Sequence, residues 1–216
     1  MDLSEALRST GSTRDFTDHP VDDATVVAIL GDARFAPSGG NRQPWRVVVV
    51  KDLAIRRRLA DLMTNVWEEY LGESTDPSRT PFAFGLSSGH RRLEAANPVL
   101  DKIEQVPVVL VVAADLNKIA LMDANSHRPP ITAGASIYPF GWSILLAARA
   151  RGLGGVLTTF LSRVEADAAP DLGLPKGHAL AATIFLGHPV HINTKLRRGE
   201  VAAFTTIDRF DGPPLT

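Results

Sequence analysis

A chain of 216 residues, 44% hydrophobic and 22% charged, has the length and balance of one globular domain with a sizeable core. Its formal net charge of −1 provides no global attraction to nucleic acid or to an acidic membrane surface. With no cysteine, disulfides, thiolate nucleophiles, iron–sulfur clusters and cysteine-ligated zinc are all excluded.

In chain order, the first ten residues are polar and charged throughout, with no apolar run of the kind a secretory leader needs. Residues 3–9 read as a short helix. Asp22 or Asp23 caps a second one, striped by Val26, Val27, Ile29 and Leu30 and ending before Pro37. Residues 36–44 hold two prolines and two glycines and form a loop. Residues 45–50, continuous and β-branched, read as a buried strand. Asp52 opens a helix to about residue 71, with Ile55, Leu59, Leu62, Met63 and Val66 at helical spacing.

Residues 72–89 are irregular, as in a lid, a binding loop or a disordered stretch. Residues 90–104 suit a helix interrupted at Pro98, and 106–114 a strand. Residues 133–151 form a nearly all-apolar helix, to be buried in a core or a subunit interface. Gly152 and Gly154 end it. A small helix at 162–168 and a strand at 180–186 follow. Beyond Val190 no period is clear, though 203–207 suits a strand. The apolar runs at 47–50 and 106–114 are strand-sized, well below the ~20 residues of a membrane span. There is no repeat, low-complexity tract or linker. The expectation is a soluble cytoplasmic protein of α+β class, one domain over 1–216.

Two segments carry chemistry. Ser12-Thr13-Arg14-Asp15-Phe16 sets a hydroxyl two residues from a guanidinium, a pair suited to an anion or a polar ring edge. Pro37-Ser38-Gly39-Gly40-Asn41-Arg42-Gln43-Pro44-Trp45 combines stiff ends, two glycines that admit close backbone approach, and mixed donors and acceptors. A planar heterocycle with alternating N–H and C=O groups needs that mixture. The blander readings are a helix cap with a surface ion pair, and a polar helix-to-strand turn. Other signals point nowhere in particular. His188 and His191 lack a carboxylate cluster, and Asp123 and His127, on one helix face, lack a nucleophile. GxSxG, P-loop and GxGxxG patterns are absent, and the glycines at 152, 154 and 155 follow a helix rather than a strand.

In order and spacing, the stretches STRDF, APSGGNRQPW, RVVVV, SILLAARARGLGG and TIFLGHP resemble the FMN-dependent nitroreductase family over roughly residues 3–210. The resemblance implies a central mixed or antiparallel sheet flanked by helices, in an intertwined homodimer with two interfacial flavin sites. Residues 190–216 would pack on the partner subunit. Ser12, with Thr13 beside it, would lie near the flavin phosphate. Arg14 would lie at the N1–C2 edge, stabilising the anionic reduced ring. Pro37, Ser38, Gly39, Asn41 and Gln43 would line the pyrimidine edge and ribityl chain. Backbone amides from Gly155 through Leu157, Thr158 and Thr159 would surround N5, and no dedicated catalytic side chain or metal is implied.

The family has two basic residues where this chain has Thr10 and Gly11. That leaves the phosphate charge to Arg8 or to the tail, where Lys195 is joined by either Arg197 or Arg198. Tyr70, Phe82, Phe84, Tyr138 and Phe140 are candidates for the substrate side. The implied activity is hydride transfer from NADH or NADPH through FMN to a nitroaromatic, quinone or similar small acceptor. The alternatives are a flavin-binding or storage protein without turnover, or a deiodinase-like or flavin-fragmenting member of the same fold.

Overall fold

The structure, a computed structural model, describes residues 1–75, 96–192 and 196–215. Three helices start on an aspartate whose side chain accepts the backbone N–H three residues on. α1 (Leu3–Ser9) is capped by Asp2, α2 (Asp23–Ala33) by Asp22, and α3 (Leu53–Thr75) by Asp52. The two bonds from Thr25 also hold the Asp22 carboxyl below its usual pKa.

β1 (Trp45–Val49), β2 (Val108–Asp115), β3 (Gly154–Thr158) and β4 (His178–Gly187) form one antiparallel sheet in the order β1-β2-β4-β3. β2 lies inside it and is buried on both faces, which is why it reads as unbroken apolar sequence. β1 departs from the expected buried strand. It is an edge with one neighbour, and Val48 and Val49 are 41% and 37% exposed. A β-branched run answers equally to an edge and a centre, because propensity reports fit to a pleated surface rather than depth.

Helices cover both faces. α2 and α5 (Tyr138–Ala150) pack on one, around Ile29, Leu110, Ile144 and Ile184. α3, α4 (Pro98–Asp101), α6 (Phe160–Arg163) and α7 (Glu165–Leu172) pack on the other, around Leu59, Met63, Val109 and Phe185. A bulge leaves Ala181 of β4 unpaired, since Val112 faces Ala182 but Ala113 faces Leu180. The extra residue reverses the side-chain alternation, so Leu180 and Ala182 join opposite cores.

Several expected boundaries move for identifiable reasons. Pro98 opens α4 instead of interrupting a helix, its missing N–H being no loss at a first turn. The apolar helix is shorter than 133–151. A 3₁₀ turn, Thr132–Ser136, precedes it, and Pro139 sits in the first turn of α5. The small helix at 162–168 is two helices broken at Val164, with Gly173 at φ +59° ending the second. Residues 203–207 form no strand. A 3₁₀ turn, Val201–Ala203, leads instead to a single bridge between Thr206 and Pro214. Asp123 lies in a loop rather than on a helix face with His127. Its carboxylate accepts from Ile131 N, Thr132 N, Thr132 Oγ1 and Arg128 Nη1, bonds that pull its pKa far down. Among the described residues, no helix is long and apolar enough to cross a membrane.

One buried cation joins the elements behind the sheet. Arg56, 7% exposed, donates to the carbonyls of Val50 (2.8 Å) and Val106 (2.6 Å), with longer contacts to those of Ile103 and Glu104. Carbonyl dipoles rather than a carboxylate hold the charge, and burial lowers its pKa. Arg56→Met keeps the stem and strands these acceptors. It is expected to destabilise the fold by about 2–4 kcal/mol, read as a lower urea midpoint with an unchanged m-value.

Candidate functional site

The first motif runs along the sheet as if it were a further strand. Ser12 makes a parallel bridge to Gly155, and Thr13 N–H donates to the Gly155 carbonyl at 2.9 Å. Phe16 bridges Pro189, Thr17 N–H donates to His188 O at 2.8 Å, and Val190 N–H donates to Asp15 O at 3.2 Å. Glycines make this approach possible. A Cβ on Gly154 would stand 2.6 Å from Thr13 Oγ1, and one on Gly187 would stand 3.0 Å from the Phe16 ring. At Gly155 it would meet the Phe185 carbonyl at 2.9 Å and Leu186 at 2.5 Å.

Seated in this way, Arg14 lines a small cleft with Asp15, Phe16, Pro98, Lys102, Gln105 and Val106. No acceptor among the described residues engages its guanidinium, and packing around it lowers its pKa. Next to Pro98, Asn97 is 7% exposed and its buried Oδ1 has no partner among the described residues. The Arg14 guanidinium keeps its donors for a polar ring edge. The sequence reading missed Lys102 and Gln105. Pro98, which opens α4, was visible, but its place in the Arg14 cleft arises only from the fold.

The second motif is a fixed loop. Gly40, Asn41 and Gln43 all have positive φ (+60°, +53° and +47°), a conformation costly for the two non-glycines. Local bonds hold it. Ser38 Oγ accepts from Gln43 N at 3.0 Å, and Gln43 Nε2 donates to Asn41 Oδ1 at 3.1 Å. Gly39 N–H donates to Ser136 Oγ at 3.0 Å, tying the loop to the turn before α5. Pro37 starts this exposed segment.

The two motifs lie at opposite corners of the sheet. Ser12 stands level with Gly155, Leu186 and Val108, whereas the second motif ends at Trp45, level with Ala114. That is roughly 19 Å across four strand spacings, the Ser12 segment lying outside β3, and roughly 20 Å along β2. One copy of the chain therefore does not bring both to a single ring edge.

The remaining candidates divide. The Leu157 side chain packs against Gly141 of α5, leaving its backbone as the only part free to act. Thr158 Oγ1 is buried without a partner, as is that of Thr183 opposite it in the ladder. Thr159 is exposed where α6 begins. Phe140 is a correction. It is 2% exposed and stacked on Trp45 at 4.6 Å, so it belongs to the core rather than to a substrate face. Tyr70 and Tyr138 are 44% and 46% exposed. Arg197 and Arg198 are exposed, the second bonding the carbonyl of the first. Lys195, Phe82 and Phe84 lie outside the described residues. His188 packs against His19 with ring centroids 4.6 Å apart and the planes tilted by 45°.

Residues 7–188 match the family described as the nitroreductase family. The chain is 31% identical to a 5,6-dimethylbenzimidazole synthase of Rhodospirillum rubrum, over 82% of this chain and 76% of that protein. It is 29% identical to an NADH dehydrogenase of Thermus thermophilus, over 88% and 87%. The structure resembles that of an oxidised iodotyrosine deiodinase bound to FMN and 3-iodo-L-tyrosine, with a TM-score of 0.70 and 21% identity over 93% and 96% of the two chains.

The glycine seat can be tested by two substitutions of opposite sign. Gly155→Ala forces a Cβ onto the Phe185 carbonyl and should cost about 1–3 kcal/mol. Gly31→Ala, inside α2 with nothing within 4 Å, should stabilise by about 0.5–1 kcal/mol. Chemical denaturation of both variants checks the pair, and equal effects would show that glycine content, not close approach, governs Gly155.

Proposed function

The chain belongs to the nitroreductase family, and from that premise we propose that it is an FMN-dependent NAD(P)H oxidoreductase acting as a homodimer. The observation that carries the reading is the Arg14 guanidinium, uncommitted among the described residues and held at a cleft beside α4 by a motif threaded onto Gly155. FMN, when bound, would take a hydride from NADH or NADPH at N5 and deliver it to a small acceptor such as a nitroaromatic or a quinone.

The protein's part is to bind, orient and neutralise. Arg14 fixes a positive charge at the ring edge where negative charge develops, and Ser12 and Thr13 lie toward the phosphate. Backbone amides of Gly155 and of Leu157 to Thr159 would hold the N5 side of the ring, with no side chain moving a proton. Pro37, Ser38, Gly39, Asn41 and Gln43 complete the ring site of the other copy. Two features support that dimer. The motifs are too far apart to serve one ring within one copy. The tail also leaves Phe204 and Phe210 71% and fully exposed, apolar surface that a partner would cover. A single domain over 1–216, with residues 190–216 reaching across the dimer, and a cytoplasmic location beside the nicotinamide pool, complete the reading.

The 31% identity to a protein named for making 5,6-dimethylbenzimidazole, not for reducing an acceptor, supports a second reading, the flavin-fragmenting alternative, in which the flavin is consumed rather than recycled. One spectrum separates the outcomes. The purified protein should be yellow, bleach on adding NADPH without oxygen, and regain its full absorbance in air. Incomplete recovery indicates flavin destruction, and no bleaching indicates a binding protein without turnover. Arg14→Ala should weaken FMN binding or slow bleaching by one to two orders of magnitude, about 1.4 kcal/mol for each tenfold. Sedimentation should give twice the chain mass, and a monomer would remove the shared-site geometry.

A further inference from the structure

The first motif lacks charge at the two positions just before Ser12, Thr10 being buried with its hydroxyl spent on the Ala6 carbonyl and Gly11 having no side chain. The same stretch walls a cleft whose other side is Arg149 of α5, with Gly154, Gly155 and Ile192 closing it. Arg149 is half-buried. Its Nε donates to Ser9 Oγ at 3.1 Å, and Ser9 in turn donates to the Glu5 carbonyl. Its terminal nitrogens have no acceptor among the described residues, and the cleft has no carboxylate in its wall. A half-buried cation facing a lining without anions is an anion site by default. Arg8, by contrast, is exposed and outside that wall. Ile192 lies at the start of the segment that leads to the basic tail.

Resting on the FMN reading above, we propose that Arg149 is the cation that receives the terminal phosphate of the cofactor, replacing the charge that Thr10 and Gly11 do not carry. Ser9 is then a positioning residue that fixes Nε and leaves both terminal nitrogens for phosphate oxygens. The tail arginines, exposed and bonded to each other, contribute less.

Fluorescence titration of the flavin-free protein with FMN and with riboflavin, which share the ring but not the phosphate, tests this. The unaltered protein should prefer FMN, with an affinity that falls as salt rises. Arg149→Gln should lower FMN affinity about tenfold to a hundredfold, flatten the salt dependence and leave riboflavin within about twofold. Arg149→Lys should recover part of the preference. Equal losses for both flavins would make Arg149 a structural strut and overturn the proposal. So would an unchanged FMN affinity, or a preference abolished by Arg197→Gln with Arg198→Gln instead. If the unaltered protein binds neither flavin, the FMN reading itself has failed, a result distinct from all of these.

Discussion

Everything at the first motif depends on how closely a second length of backbone can lie against the sheet. Residues 12–17 reach Gly155 and His188 by main-chain hydrogen bonds, and only hydrogen atoms occupy the space where Gly154, Gly155 and Gly187 would otherwise carry a Cβ. Backbone pairing fixes direction as well as position. Once Thr13 is bonded to Gly155 and Thr17 to His188, the side chains between them have little freedom, and Arg14 is delivered to the cleft beside α4 without an ion pair of its own. A side-chain tether at the same place would have consumed the charge the site needs.

The second motif solves a similar problem by other means. No sheet supports it, so it is stiffened locally by three consecutive polar bonds and by accepting positive φ at Asn41 and Gln43. Strain of this kind persists only where the surroundings over-determine the conformation. The Gly39–Ser136 bond supplies that determination, and through the Thr132–Ser136 turn it connects the loop to the carboxylate of Asp123. A loop rigid before binding loses little entropy on binding, which favours a ring held in one orientation.

The sequence made much of this legible and left specific parts hidden. Motif order, capping aspartates and the central strand could be read because each is local: an Asp three residues from its acceptor N–H, or eight apolar residues in a row. The role of the glycines could not. In sequence Gly152, Gly154 and Gly155 look alike, as helix terminators, yet only Gly152 ends the helix with a positive φ, while the other two form the seat of a segment some 140 residues away. Phe140 was misplaced for the same reason, since its stacking partner Trp45 lies far off in the chain. Lys102 and Gln105 went unnoticed because nothing in their neighbours announces Arg14.

The arginines show what separates support from function in this fold. Arg56 is nearly buried and its donors are met by backbone carbonyls, and Arg151 is met by the Ala147 carbonyl and by Asp32. Both are structurally complete, and removing Arg56 leaves buried acceptors stranded. Arg14 and Arg149 are also partly buried, yet the guanidinium of neither is paired with an anion among the described residues. Holding a cation in that condition costs free energy that packing alone does not return. The two stand on either side of the same backbone segment, one beyond Ser12 and one before it. A ligand carrying a polar ring edge at one end and a phosphate at the other would satisfy both at once, and that matching of unmet charges to the two ends of one molecule is the physical argument for FMN in this chain.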